Sequence, residues 1–135
     1  MVCIQVCEGD YMAKMEKKSM NSPEETRKFD KGKLEIVKLG GVTVGKATFK
    51  PGWKWSECVK PIAKTESCMA EHSMYMISGK MKVVMDDGTE KEFGPGDAAY
   101  IPAGHDAWVL GKEDVVSLDF SAAEYYAKAG KTKNK

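Results

Sequence analysis

The sequence predicts an all-β fold, a sandwich or closed roll built from many short strands. Two observations carry that expectation. From about residue 34 onward, short apolar stretches are separated by glycine and proline punctuation. Within that region Ser78-Gly79 reads as a tight turn and Asp86-Asp87-Gly88 as a hairpin turn.

The elements follow in chain order. Residues 1–32 differ in composition from the rest and are expected as a loosely structured N-terminal arm, either flexible or docked on a dimer partner. Residues 11–30 are rich in Lys, Glu, Ser and Met without sustained alternation. Ser22-Pro23-Glu24-Glu25 can cap one helical turn, because Ser accepts from orphan amides and Pro suits a first helical position. Residues 34–39 form a strand stopped by Gly40-Gly41. Residues 42–49 form a second, stopped by Pro51-Gly52, and 53–57 follow. Residues 74–77 and 80–85 flank Ser78-Gly79, and 89–93 return from the hairpin. Residues 98–101, 107–110 and 114–120 complete the barrel, expected over 33–120. Residues 121–129 begin with a Ser cap and carry good helix formers, so a short C-terminal helix is expected, followed by a frayed basic tail.

At 135 residues the chain is read as one domain, long enough to bury a core without disulfide staples. Its 21 basic and 20 acidic residues leave no global field to attract nucleic acid or an anionic membrane. The apolar runs are far too short to span a bilayer. The apolar start of the chain stops at Glu8, so no secretory signal is read, and a cytoplasmic location follows. There the four cysteines are expected as thiols rather than bridges. Met12, Met15 and Met20 are alternative starts to Met1.

The chemistry-bearing residues concentrate between 66 and 105. Strand side chains alternate faces, so Glu66, Cys68, Ala70 and His72 share one face if that segment is extended. His105 opens a later strand and meets them only if the sheet curls round. Imidazole suits zinc, copper, iron and nickel, and thiolate selects softer or borderline metals. Cys68, His72 and His105 are therefore the candidate metal ligands, with Glu66 as a fourth. Three protein ligands would leave open positions for water or substrate. The alternative is a polar pocket with satisfied histidines and a buried thiol.

These residues resemble the motifs of small single-domain cupins. The first cupin motif resembles the span from Glu66 through Cys68 and His72 to Gly79. The second resembles Gly96, Pro102, Gly104 and His105. The resemblance covers roughly residues 33–120. It implies a cupin-type double-stranded β-helix, a jelly-roll barrel, with a metal inside it and a pocket for a small molecule. Within that pattern Glu66 and Cys68 stand where histidines are usual, and His72 stands where a carboxylate is usual. The second-motif histidine usually falls at the position of Ala107. His105 comes two residues early, about 7 Å away along an extended strand. Small cupins also pair, so a homodimer is expected, in keeping with the uncovered β edges.

The other candidates carry weaker signals. Cys58, in the Trp-rich segment, reaches the site only if its loop folds back. Glu71 has the opposite parity to His72 and is expected to face out. Cys3 and Cys7 are expected as free thiols. Met74, Met76, Met81 and Met85 are expected as core packing rather than thioether ligands. Trp53 and Trp55 are expected in the core, with an aromatic ligand wall as the alternative, and Trp108 on the face opposite His105. Asp97 is expected to stabilise a turn. Three functions remain open: a metal-dependent oxygenase, isomerase or lyase of unknown substrate, a non-catalytic small-molecule-binding or sensing protein without metal, and a storage role.

Overall fold

The computed structural model describes residues 14–123, 126 and 127. Among them, nine strands form in this order: β1 (Glu25–Phe29), β2 (Gly32–Leu39), β3 (Val42–Phe49), β4 (His72–Ser78), β5 (Lys80–Met85), β6 (Glu90–Phe93), β7 (Ala98–Ile101), β8 (His105–Leu110) and β9 (Val115–Asp119). Two one-turn helices, α1 (Trp55–Cys58) and α2 (Lys60–Ala63), lie between β3 and β4. One sheet has the order β1-β2-β3-β9-β4-β7 and the other β6-β5-β8. Every pairing is antiparallel. The all-β jelly-roll expectation holds.

Alternation along the strands builds the core, because successive side chains leave a strand on opposite faces. On β8, His105, Ala107 and Val109 are buried while Asp106, Trp108 and Leu110 are only partly so. On β9 the buried set is Val115, Ser117 and Asp119. Met74 and Met76 of β4 are buried in register with His72. Leu34, Ile36, Trp53, Trp55 and Met76 are among the most deeply buried side chains.

The turns obey their local chemistry. Gly88 has φ 94° and its N–H bonds Met85 O at 2.9 Å, while the Asp87 carboxylate accepts from Thr89 N. Gly79 joins β4 to β5 at φ 77°, and a Cβ there would lie 2.4 Å from Asp114 O. Only glycine fits that approach. Asp97 caps its turn by accepting from Gly94 N at 2.8 Å.

Three elements differ from the sequence expectation. Residues 25–29, read as part of an arm, form β1 paired with β2, and Glu24 extends the ladder through its N–H to Ile36 O. One helical turn at Ser22 cannot offset the cost of helix nucleation, whereas a strand there gains a full ladder. Residues 53–57, read as a strand, touch the sheet through a single bridge from Lys54 to Trp108 and then turn into α1. Pro61 sits in the first turn of α2, where its missing N–H has no intrahelical partner to lose. Residues 66–71 are not a strand; Cys68 makes only an isolated bridge to His105. At the C-terminus the described residues show turns, with Tyr126 N bonding Ala122 O at 2.9 Å. Residues 124, 125, 128 and 129 of the expected helix, like Cys3 and Cys7, lie outside the described residues.

Candidate metal and ligand site

Cys68, His72 and His105 converge inside the barrel. One ligand atom from each lies within 4.8 Å of the other two. Cys68 arrives on a loop pinned to β8, with its N–H on His105 O at 2.7 Å and its C=O accepting from Gly104 N at 2.7 Å. His72 opens β4 directly beside it, and Cys68 Sγ stands 3.8 Å from His72 Nε2. The two imidazole centroids are 5.1 Å apart. The early position of His105 relative to the usual motif is resolved by this bridge: Cys68 is drawn to the start of β8, where His105 is, rather than to Ala107.

Hydrogen bonds fix both rings. His72 Nδ1 lies 2.6 Å from Asp119 Oδ2, and His105 Nδ1 lies 2.8 Å from Pro102 O. A carboxylate and a carbonyl only accept, so both Nδ1 atoms carry the proton and both Nε2 atoms are the ones offered to the site. Asp119 is held in turn by Ser121 N and Ala122 N, which donate to its Oδ1 at 3.0 and 2.9 Å.

The charges follow from this network. Burial opposes ionisation of Cys68, but hydrogen bonds from His105 and His72 outweigh it and bring the thiol down to about 6. Burial likewise opposes a charged His72, yet Asp119 and then Cys68 hold its imidazolium up to about 10. The carboxyl of Asp119 lies below its usual range; burial works against this and is overcome by His72 and the two amides. Burial pushes the Tyr126 hydroxyl well above its usual range.

The site opens on a cavity of about 40 Å³ inside the barrel. Its walls are mainly apolar, with Phe49, Trp53, Trp55, Met74, Met81 and Ala107 among them. Tyr126 closes it beside His72, with ring centroids 5.7 Å apart. Trp53 and Trp55 are thus both core residues and cavity wall. The indole N–H of Trp53 is buried and has no hydrogen-bond acceptor among the described residues.

The remaining candidates fall elsewhere. Glu66 does not join the cluster: its side chain is 97% exposed and faces Lys60 Nζ at 3.4 Å. The shared-parity expectation fails there because the segment is not extended, and a free carboxylate prefers water to the barrel interior. Cys58 is buried apart from the cluster, its S–H pointing to Asp30 Oδ2 at 3.6 Å, and burial pushes its thiol up. Glu71 is exposed. Met74, Met76 and Met81 pack in the core. Trp108 turns away from His105 and lies under Lys54 Nζ, 5.0 Å from its ring centroid.

Sequence reasoning missed Asp119, Ser117 and Tyr126. The signal for the first two was present in β9, where Val115, Ser117 and Asp119 share the inward parity. Two polar groups on an inward face are a mark of a site.

Residues 50–121, just over half of the chain, match the sequence model of the EutQ-like cupin domain. No curated protein matches the chain. Among solved structures it is similar to the polyketide cyclase RemF from Streptomyces resistomycificus, with TM-score 0.56 and 18% identity, covering 80% of this chain and 79% of that one. It is similar to a Lactobacillus farciminis oxalate decarboxylase solved as a formate complex, with TM-score 0.54 and 21% identity, covering 76% of this chain. The matched part is 32% of that decarboxylase, so the chain spans about a third of its length. A Rhizobium leguminosarum protein of unknown function gives TM-score 0.53 at 22% identity, covering 81% of this chain and 97% of that one. These likenesses establish the shared barrel. With the motif residues and the barrel they sit in, the match over residues 50–121 makes the chain a cupin of the EutQ-like family.

Proposed function

We propose that Cys68, His72 and His105 hold one divalent transition-metal ion, and that the cavity beside it receives a small molecule. The observation that carries this reading is the pair of Nδ1–H bonds. They turn both Nε2 atoms and a readily ionised thiol toward one point, where a metal would displace the Nε2 proton of His72, with Asp119 supporting that ring as carboxylates commonly support metal-binding histidines. Tetrahedral bonds of ordinary length put ligand atoms about 3.5 Å apart, so the widest pair, within 4.8 Å, needs to draw in by only about 1 Å. The mixed nitrogen–sulfur set suits zinc first, and iron, copper or nickel as well. Such an ion supplies a Lewis acid that polarises an oxygen or acidifies a bound water. The chain's own part is to fix the two rings, exclude bulk water with Tyr126, and keep the ligand among apolar walls.

The size of the cavity narrows the chemistry. At about 40 Å³ it is small beside the pockets that hold ordinary metabolites, which favours a compact ligand. Metal analysis of freshly purified protein tests the reading: about one ion per chain is expected, and it should be lost in His72→Ala and His105→Ala.

A second reading rests on a specific geometry. Cys68, His72 and Asp119 stand in the order nucleophile, base and orienting carboxylate, with contacts of 3.8 and 2.6 Å. In metal-free protein this is the arrangement of covalent thiol catalysis. Metal-free protein that is alkylated at Cys68 and turns over a small ester would favour it. A non-catalytic sensing role without metal is the outcome if neither metal nor reactive thiol is found.

The protein is also proposed to be a homodimer in a reducing, cytoplasmic compartment, which keeps Cys68 a thiol. No helix among the described residues is long and apolar enough to cross a membrane.

A further inference from the structure

Trp53 is 2% exposed and stacks on Phe49 with ring centroids 4.1 Å apart. Its indole N–H is sealed from solvent and meets no protein acceptor among the described residues. Buried indoles and other buried donors are nearly always paired, because an unpaired one has lost water and gained nothing. The carboxylate of Asp119, which lines the same cavity, is engaged by His72, Ser121 and Ala122 instead. Trp53 also lines the cavity that holds the Cys68, His72 and His105 cluster.

We infer that Trp53 is the recognition donor of the cavity, and that its ligand is a compact molecule carrying an oxygen acceptor. A purely apolar occupant would leave the N–H unpaired, and a ligand with only donors would oppose it. No lysine or arginine lines the cavity, so the recognition falls to its neutral donors and to the histidines. The inference rests on the barrel interior being the ligand site; it does not require that the metal reading be right.

The test is the indole N–H resonance of Trp53 in isotope-labelled full-length protein, assigned by its loss in Trp53→Phe. Sodium formate is the probe, with sodium chloride at equal ionic strength and xenon as controls, in both zinc-loaded and metal-free protein. Formate is expected to move the Trp53 resonance saturably and leave that of Trp108 in place. Chloride should not move it, and xenon, which offers no acceptor, should move only cavity methyl signals. Calorimetry should show about tenfold weaker formate binding to Trp53→Phe. A Trp53 resonance that formate leaves unmoved, or that chloride moves equally, overturns the inference, as does unchanged affinity in a folded Trp53→Phe. If zinc does not bind but formate still shifts Trp53, the metal reading fails and this one stands. If zinc binds and formate has no effect on Trp53, the reverse holds.

Discussion

His72 Nδ1 lies 2.6 Å from Asp119 Oδ2, and this contact decides which nitrogen of His72 faces Cys68. Ring orientation, tautomer and charge at the site all depend on it.

Asp119→Asn tests that dependence. The amide oxygen can still accept from Ser121 and Ala122, so the local turn survives. The amide nitrogen then donates to Nδ1 and drives the ring proton to Nε2, the atom meant for metal. Metal affinity should fall about 10- to 100-fold with little loss of stability. Competition against a chromophoric chelator measures the first, and thermal unfolding the second. Unaltered affinity would mean that the carboxylate does not orient the ring.

The charge state of the site yields a pH prediction. In metal-free protein Cys68 should ionise near pH 6 rather than at its ordinary 9.0, and His72 should keep its proton until about pH 10. Between those values metal displaces a proton from His72, not from Cys68. Affinity should therefore rise with pH across this window and fall faster below about pH 6, where the thiol must also be deprotonated. Thiolate absorbance of a Cys3→Ala/Cys7→Ala/Cys58→Ala protein reports the first titration, and calorimetry in buffers of different ionisation enthalpy counts the proton released. A Cys68 titration near 9 would contradict the network.

Gly79 tests the fold independently of the site. In Gly79→Ala the new Cβ meets Asp114 O at 2.4 Å in a backbone already at φ 77°. A loss of roughly 2–3 kcal/mol is expected from urea unfolding. A neutral result would place β9 farther from the β4–β5 turn than described.

The outer face of the larger sheet bears on assembly. Tyr75, Ile77, Tyr100 and Phe120 are each more than two-fifths exposed there, and Tyr75 is in register with both Ala98 and Leu118. A face of this kind pairs well with a second copy across a two-fold axis. Light scattering at micromolar concentration should give twice the chain mass, and Tyr75→Lys with Ile77→Lys should reduce it to one. A monomeric mass for the unaltered protein would remove the dimer.

Much of the barrel was legible because its strands are short and punctuated: Gly40-Gly41, Ser78-Gly79 and Asp86-Asp87-Gly88 mark ends that local chemistry enforces. The convergence of Cys68, His72 and His105 was legible from motif order, while the bridge to His105 rather than strand parity brings Cys68 in. Glu66 was misplaced because parity holds only within a strand, and residues 66–71 touch the sheet at Cys68 alone. Strand β1 was hidden by its polar composition, since its stability comes from pairing with β2 rather than from its own pattern. Asp119 was overlooked because β9 reads as apolar until the inward positions are separated from the outward ones.

X-ray absorption at the metal edge of zinc-loaded protein addresses the central claim most directly. One sulfur at about 2.3 Å and two imidazole nitrogens at about 2.0–2.1 Å are expected, with the sulfur lost in Cys68→Ser and metal lost in His72→Ala or His105→Ala, while Cys3→Ala and Cys7→Ala change nothing. Protein that takes up no metal, or a shell of light atoms without sulfur, would contradict the claim that Cys68, His72 and His105 form a metal centre.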